Sequence, residues 1–220
     1  MVGGHKGEPN RSVDAVTLGR DAATLGVDIG EKAPELLRLL AELERWNRRY
    51  NLTAITTLAD GITRHLLDSL AVGPDLTGTR IADVGTGAGF PGLPLALVYP
   101  ERQFTLVDSV AKKVRFVMHA ARVLELQNVT VAHARVESMQ VEAPFDTVLA
   151  RAFAPLPKLL AAVEGICGPS TQVLAMKGKW PRQELDSLPH GWRVVRSRRL
   201  EIPRLPAERW LVVLARVQNR

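Results

Sequence analysis

The chain has 220 residues, a net charge of +6, 46% hydrophobic residues and only 5% aromatic ones. That length suits one domain with an aliphatic core, and the single Cys167 excludes an internal disulfide or an all-cysteine metal site. The five histidines (His5, His65, His119, His133, His190) make no metal-ligand spacing, and no apolar run approaches the ~18 residues of a membrane span, so neither a metal nor a membrane is expected.

The charge is unevenly placed. Residues 190–220 hold eight Arg and two Glu, whereas the 21 basic and 21 acidic residues elsewhere cancel. A basic surface made of Arg without Lys favours an anionic polymer such as RNA. Arg side chains protecting a solvated strand edge would give the same count.

In chain order, residues 1–11 read as a disordered tail. They lack the apolar stretch of a signal peptide, so a cytoplasmic protein is expected. The spacing predicts a helix over 12–25, with Ser12 as N-cap. A stronger helix follows over 32–50, where Leu36, Leu39, Leu40, Leu43 and Trp46 share a face and Pro34 suits the first turn. Asn47 and Asn51 are expected to cap and turn its end. A third helix is expected over 59–70, carrying His65 and Asp68. These two read either as a wall of a substrate site or as a hydrogen-bonded pair anchoring the helix. Residues 12–78 thus form an N-terminal helical extension.

From residue 79 the pattern alternates. Strands are predicted over 81–84, 104–107, 129–132, 147–150 and 172–176. Helices are predicted over 93–99, 111–124 and 156–166, with a short turn at 136–139. Such a series gives a parallel α/β sheet. Cys167 is expected at a helix end. Two further strands, 192–200 and 209–217, have no helix between them and are expected to close the sheet as an antiparallel pair.

The functional signal lies at 81–94, IADVGTGAGFPGLP. Asp83 ends a strand, and Gly85, Gly87 and Gly89 form a turn into a helix. Such a turn lets backbone approach a ligand at the carboxyl end of the sheet. A dinucleotide loop would need a third Gly where Phe90 stands. An acid at the end of strand one suits a cationic ligand instead. A second acid, Asp108, follows 25 residues later at the end of strand two, where it reaches a ribose hydroxyl pair. The set fits S-adenosylmethionine better than a dinucleotide or a purely structural turn.

Several motifs then make the chain resemble a known family. They are WNRRYNLTAI at 46–55, RHLLDSL at 64–70, DVGTGAGFPGLPLA at 83–96, LVDSVAKKVRF at 106–116, ARAFAPL at 150–156 and MKG at 176–178. Together they resemble the bacterial 16S ribosomal RNA guanine-N7 methyltransferase G family, within the class I S-adenosylmethionine-dependent methyltransferases. The resemblance implies a Rossmann-like, mostly parallel seven-stranded sheet with an antiparallel last strand, over residues 79–220. It implies methyl transfer to N7 of a guanosine in the 530 loop of 16S rRNA, within the 30S subunit or a late precursor, with S-adenosylhomocysteine as product. It places Gly85 and Phe90 on the methionine part of the cofactor, Asp108 on the ribose, Val136 and Glu137 on the adenine, and Arg151 on the cofactor side.

Guanine N7 carries a lone pair and no proton, so no general base is expected and catalysis rests on positioning. Phe90 and Phe153 are candidate walls of a dry pocket. Arg151 is the candidate catalytic group, donating to guanine O6. The plain alternative is an ion pair to Asp146 or Glu137. Lys112, Lys113, Lys177, Arg198 and Arg199 are candidates for RNA phosphate. A monomer is the default expectation. Two other functions stay open: methyl transfer to a small molecule or protein, and noncatalytic ribosome binding.

Overall fold

The computed structural model describes residues 11–217, with side chains from Asp14 onward. The tail expected over 1–11 lies outside the described residues except for Arg11, which opens α1 (Arg11–Thr24). Helix α2 (Ala33–Tyr50) buries Leu36, Leu39, Leu40 and Leu43. It ends at Asn51 in the left-handed region, where φ is 47°. The Asn47 side chain closes that end, its Oδ1 accepting from the Leu52 and Thr53 N–H groups. Here Asn is used because its short amide mimics backbone and tolerates positive φ.

The expected third helix is one helical run of three parts. It starts as α3 (Leu58–Gly61), capped by Thr57, widens into a π-helical segment Ile62–Leu67, and finishes as α4 (Asp68–Leu70). The Asp68 N–H donates to the His65 and Thr63 carbonyls, but the two side chains do not bond to each other, which corrects the paired reading.

Seven strands follow: β1 (Arg80–Val84), β2 (Gln103–Asp108), β3 (Val129–His133), β4 (Phe145–Arg151), β5 (Cys167–Lys177), β6 (Trp192–Arg199) and β7 (Trp210–Arg216). Their order is β3-β2-β1-β4-β5-β7-β6. Strands β1 to β5 pair in parallel, and β7 runs antiparallel to both β5 and β6. This is the Rossmann-like sheet expected, with helices α5 (Gly92–Val98), α6 (Ala111–Val123) and α7 (Leu156–Val163) in the crossovers.

Alternation along the strands divides the core into two layers. Ile81, Phe104, Leu106, Leu149, Leu174 and Leu211 pack with α1, α2, α5 and α6. Ala82, Val84, Val148, Val173 and Leu214 pack with α7. The N-terminal helices thus share one core with a face of the sheet.

Two local departures have physical reasons. Cys167 stands at a helix end as expected, capping the 3₁₀ turn Glu164–Ile166 that follows α7, but it also opens β5, which starts well before the expected residue 172. There Thr171 Oγ1 accepts from Gly168 N–H and donates to the Phe145 carbonyl, which holds the early part of β5 on β4. A short α8 (Arg182–Asp186) carries no buried stripe for a sequence pattern to reveal. Strand β6 forms the sheet edge. Its Arg196 and Arg198 both clamp the buried Asp75, at 2.7 and 2.6 Å, so part of the C-terminal basic excess is spent on holding that edge.

Candidate functional site

The strand β1–turn–α5 unit is built around Asp83, which is fully buried. Its Oδ2 accepts from the Thr86 hydroxyl at 2.6 Å and from Gly92 N–H at 2.8 Å, whereas its Oδ1 has no partner among the described residues. Burial pushes the carboxyl up to about 6, against the pull of those two hydrogen bonds. Gly92 is required because a Cβ there would lie 2.1 Å from Leu106 Cδ2 and 2.8 Å from Asp83 Oδ2. Gly85 is required twice. Its φ is +66°, and a Cβ would lie 2.5 Å from the Phe153 ring. Gly89 is closed off by Leu93 in the same way, while at Gly87 a Cβ would meet only the Gly85 carbonyl oxygen, at 3.9 Å.

At the end of β2, Asp108 accepts from Gly87 N–H at 2.9 Å and from Val110 N–H at 2.8 Å, one oxygen each. A carboxylate has about four lone-pair sites, so half of its accepting capacity remains. Asp108 joins Val107, Val110, Val136, Glu137, Phe153 and Lys158 around a cavity of ≈ 340 Å³. Val136 is buried and Glu137 exposed, both on a 3₁₀ turn, Val136–Ser138.

A second cavity of ≈ 540 Å³ lies beside it, lined by His65, Asp68, Gly87, Phe90, Arg151, Lys177, Arg209 and others. The two meet at Gly85, Lys113 and Ala152, which line both. Ala152 sits at φ +51° just past β4, a conformation a non-Gly residue rarely holds outside a constrained site. Asp83 and Gly89 line neither cavity; they support the loop from beneath.

The larger cavity is organised by Asp68. Its Oδ2 accepts from Arg151 at 3.0 Å and its Oδ1 from Arg209 at 3.1 Å, with only 4% of the Asp68 side chain exposed. Arg151 also donates to the Arg64 carbonyl. The ion pair expected for Arg151 with Asp146 or Glu137 is not formed. Asp146 is the second residue of the same strand and is used at its other end, accepting from Thr79 and Arg80 N–H.

His65 stacks on Phe90 with ring centroids 4.4 Å apart, and the Arg151 guanidinium lies 5.7 Å from the Phe90 centroid. Burial, reinforced by the Arg151 charge, drives the His65 imidazole down to about 3. It is therefore neutral at physiological pH. Its Nε2 pairs with Thr53 Oγ1 at 3.2 Å, and its Nδ1 is buried without a partner among the described residues.

The remaining candidates are scattered. Lys112 donates to the Tyr50 carbonyl at 2.8 Å and so ties α6 to the end of α2. Lys113 stands 3.9 Å from Asp108. Lys177 is held by Glu184 at 2.7 Å and by the Ala154 carbonyl. Arg198 is bound to Asp75, and Arg199 is exposed beside Glu201. Sequence reasoning missed Arg209, Thr53, Glu184 and Ala152. Arg209 meets Asp68 across 141 positions of chain, a contact no local pattern announces. Among the described residues, no cluster of His, Cys, Asp and Glu is suited to a metal, and no helix is long and apolar enough to cross a membrane.

The comparisons with known proteins bear on the family and the fold. A family model described as rRNA small subunit methyltransferase G matches residues 32–212. The chain is 43% identical over 204 residues to a ribosomal RNA small subunit methyltransferase G from Nitrosococcus oceani, covering 92% of this chain and 95% of the relative. It is 45% identical over 200 residues to the protein of that name from Xanthomonas campestris pv. campestris, covering 91% and 93%. In fold it is similar to magnesium protoporphyrin IX methyltransferase from Synechocystis PCC 6803, solved with bound SAH. There the TM-score is 0.55 at 16% identity, over 80% of this chain and 94% of that one.

Proposed function

The chain belongs to the rRNA small subunit methyltransferase G family, and from that premise we propose that it methylates N7 of a guanosine in the 530 loop of small-subunit (16S) rRNA. S-adenosylmethionine supplies the methyl group from its sulfonium. The smaller cavity is suited to the adenosine part. Asp108 has lone pairs left for the ribose hydroxyls, and Val136 and Glu137 flank the adenine. Gly85 and Gly87 give the methionine part close access to backbone, with Phe90 behind them. Asp83 acts from below, where its buried charge with a free Oδ1 favours a cationic ligand.

The observation that carries the reading is the kind of groups in the larger cavity. Its one lining carboxylate, Asp68, already accepts from two guanidinium groups. His65, held near 3, is a weak base. An acceptor that must shed a proton, such as an exocyclic amine, finds no free base here. Guanine N7 needs none. Rate enhancement then comes from holding N7 in line and from excluding water, and proximity supplies up to about 7–11 kcal/mol in favourable cases.

We assign Arg151 to specificity. Its Nη1 is committed to Asp68 and Arg64. Its Nη2 and Nε have no protein partner among the described residues, and we assign them to guanine O6 on the Hoogsteen edge. Lys113, Lys177 and Arg199 remain the assigned phosphate contacts, with Arg198 contributing through the edge it holds and Lys112 through the loop it ties. The enzyme is expected to act as a monomer, in the cytoplasm, on the 30S particle or a late precursor. The test uses labelled S-adenosylmethionine with undermodified 30S subunits and, separately, with their deproteinised 16S RNA. Label at one guanosine of the 530 loop is expected. Label at another site, or none despite demonstrated cofactor binding, would overturn the proposal.

A further inference from the structure

Aromatic residues are scarce in this chain and, with a single exception, they are buried or half-buried. The exception is Trp180, with 41% of its surface in water. It lies on the loop between β5 and α8 and packs against Trp210, with ring centroids 4.8 Å apart and planes tilted by 58°. Trp210 is itself fixed, because its indole N–H donates to the Glu208 carboxylate. The pair therefore forms a supported ring with an outer surface that no protein group covers. An exposed Trp costs solubility and gives up the large hydrophobic gain of burial, so a use for the open surface is called for.

Its position says what that use is. Lys177 and Gly178, which precede Trp180, and Arg209, which precedes Trp210, all line the 540 Å³ cavity. In register, Trp210 lies between Lys177 of β5 and Arg199 of β6. Lys179 and Arg182, on either side of Trp180, are exposed. The acids close by are engaged, Glu184 with Lys177 and Glu208 with Trp210. A flat aromatic surface at the lip of the acceptor cavity, flanked by the exposed cations Lys179 and Arg182, matches a nucleobase with its phosphates.

We propose that Trp180, backed by Trp210, is a stacking platform for a base neighbouring the methylated guanosine in single-stranded RNA. The platform holds the adjacent nucleotide outside while the target base enters, and so fixes which guanosine is presented. This rests on the RNA reading above.

The test is steady-state methylation of 30S subunits by Trp180→Ala, Trp180→Leu and Trp180→Phe at saturating cofactor, with cofactor affinity and Tm measured beside it. Leu keeps the apolar packing on Trp210 but has no π face. The Ala and Leu variants are expected to raise KM for RNA about tenfold, and Phe to stay within about threefold of wild type, since stacking tolerates any aromatic ring. Cofactor affinity should not move, and Tm should hold in the Leu and Phe variants, which keep apolar packing on Trp210. A Leu variant with wild-type KM would overturn the platform, as would an Ala variant whose loss is explained by weaker cofactor binding or a lower Tm. Wild-type protein inactive on both 30S and 16S RNA would overturn the RNA reading and the platform together. Active wild type with a fully active Leu variant would overturn the platform alone.

Discussion

The two cavities at the carboxyl edge of the sheet are made of different materials. The smaller one, beside β2, is lined by turns that follow successive parallel strands, from Gly85 to Lys158, and its polar anchor Asp108 is fixed by backbone N–H groups of its own loop and the glycine turn. The larger one, beside β4 and β5, is held by charged side chains from distant positions, with Asp68 joining Arg151 and Arg209. The first shape is set by sterics and cannot tolerate added atoms. The second is set by an ion network and cannot tolerate lost charge. The two halves should therefore fail in different ways when altered.

The largest effect is expected at the network. Asp68→Ala leaves two guanidinium groups facing each other without a counter-charge, and removing one partner of a buried ion cluster costs about 3 kcal/mol or more. Thermal or denaturant unfolding should show that loss, and RNA methylation should disappear. Cofactor affinity, whose adenosine anchors Asp108, Val136 and Glu137 line the other cavity, should fall far less. An equal collapse of both would break the division.

Next comes the glycine turn. Gly85→Ala forces a side chain into φ +66° and onto Phe153, costing roughly 1–2 kcal/mol from backbone strain before any clash is counted. Calorimetry should show cofactor affinity down about tenfold or more, while RNA binding in a filter assay stays near wild type.

Asp83 sharpens the contrast through pH. Its folded value of about 6 lies above the ordinary 3.8, so the folded state holds the proton more tightly than the unfolded one. Stability should fall as pH rises from about 4 to about 6, and this contribution is about 3 kcal/mol in full. Asp83→Asn should flatten that slope in unfolding curves. Cofactor affinity should run the other way in wild type, falling as pH drops below about 6 and the carboxylate is neutralised. A flat affinity profile from pH 5 to 8 would contradict the role given to that charge.

The smallest effects separate two neighbours on β6. Arg198→Ala should lower Tm, because Asp75 loses one of its two guanidinium partners. Arg199→Ala should leave Tm unchanged, weaken RNA binding about two- to threefold and make it less salt-dependent.

The same division explains what could be read from the chain beforehand. The strand–turn–helix at 81–98, the acids at its strand ends and the terminal antiparallel pair were all legible, because each is encoded by spacing within a short window. The Arg151–Asp68–Arg209 cluster was not. Its members are 83 and 141 positions apart, and His65 and Asp68 looked like a local pair, whereas their side chains bond Thr53 on one hand and Arg151 and Arg209 on the other. The basic C-terminal segment was legible as charge but not as contacts, since Asp75 takes two of its arginines. Local chemistry is written in local sequence, whereas a network that only the folded sheet assembles is not.

The most direct test of the central claim, that this cavity methylates an atom needing no base, is the identity of the product. Labelled RNA from the 30S reaction would be digested to nucleosides and separated with mass detection. The account predicts that all label runs as 7-methylguanosine. Label in N2-methylguanosine, whose amine must lose a proton, would contradict it.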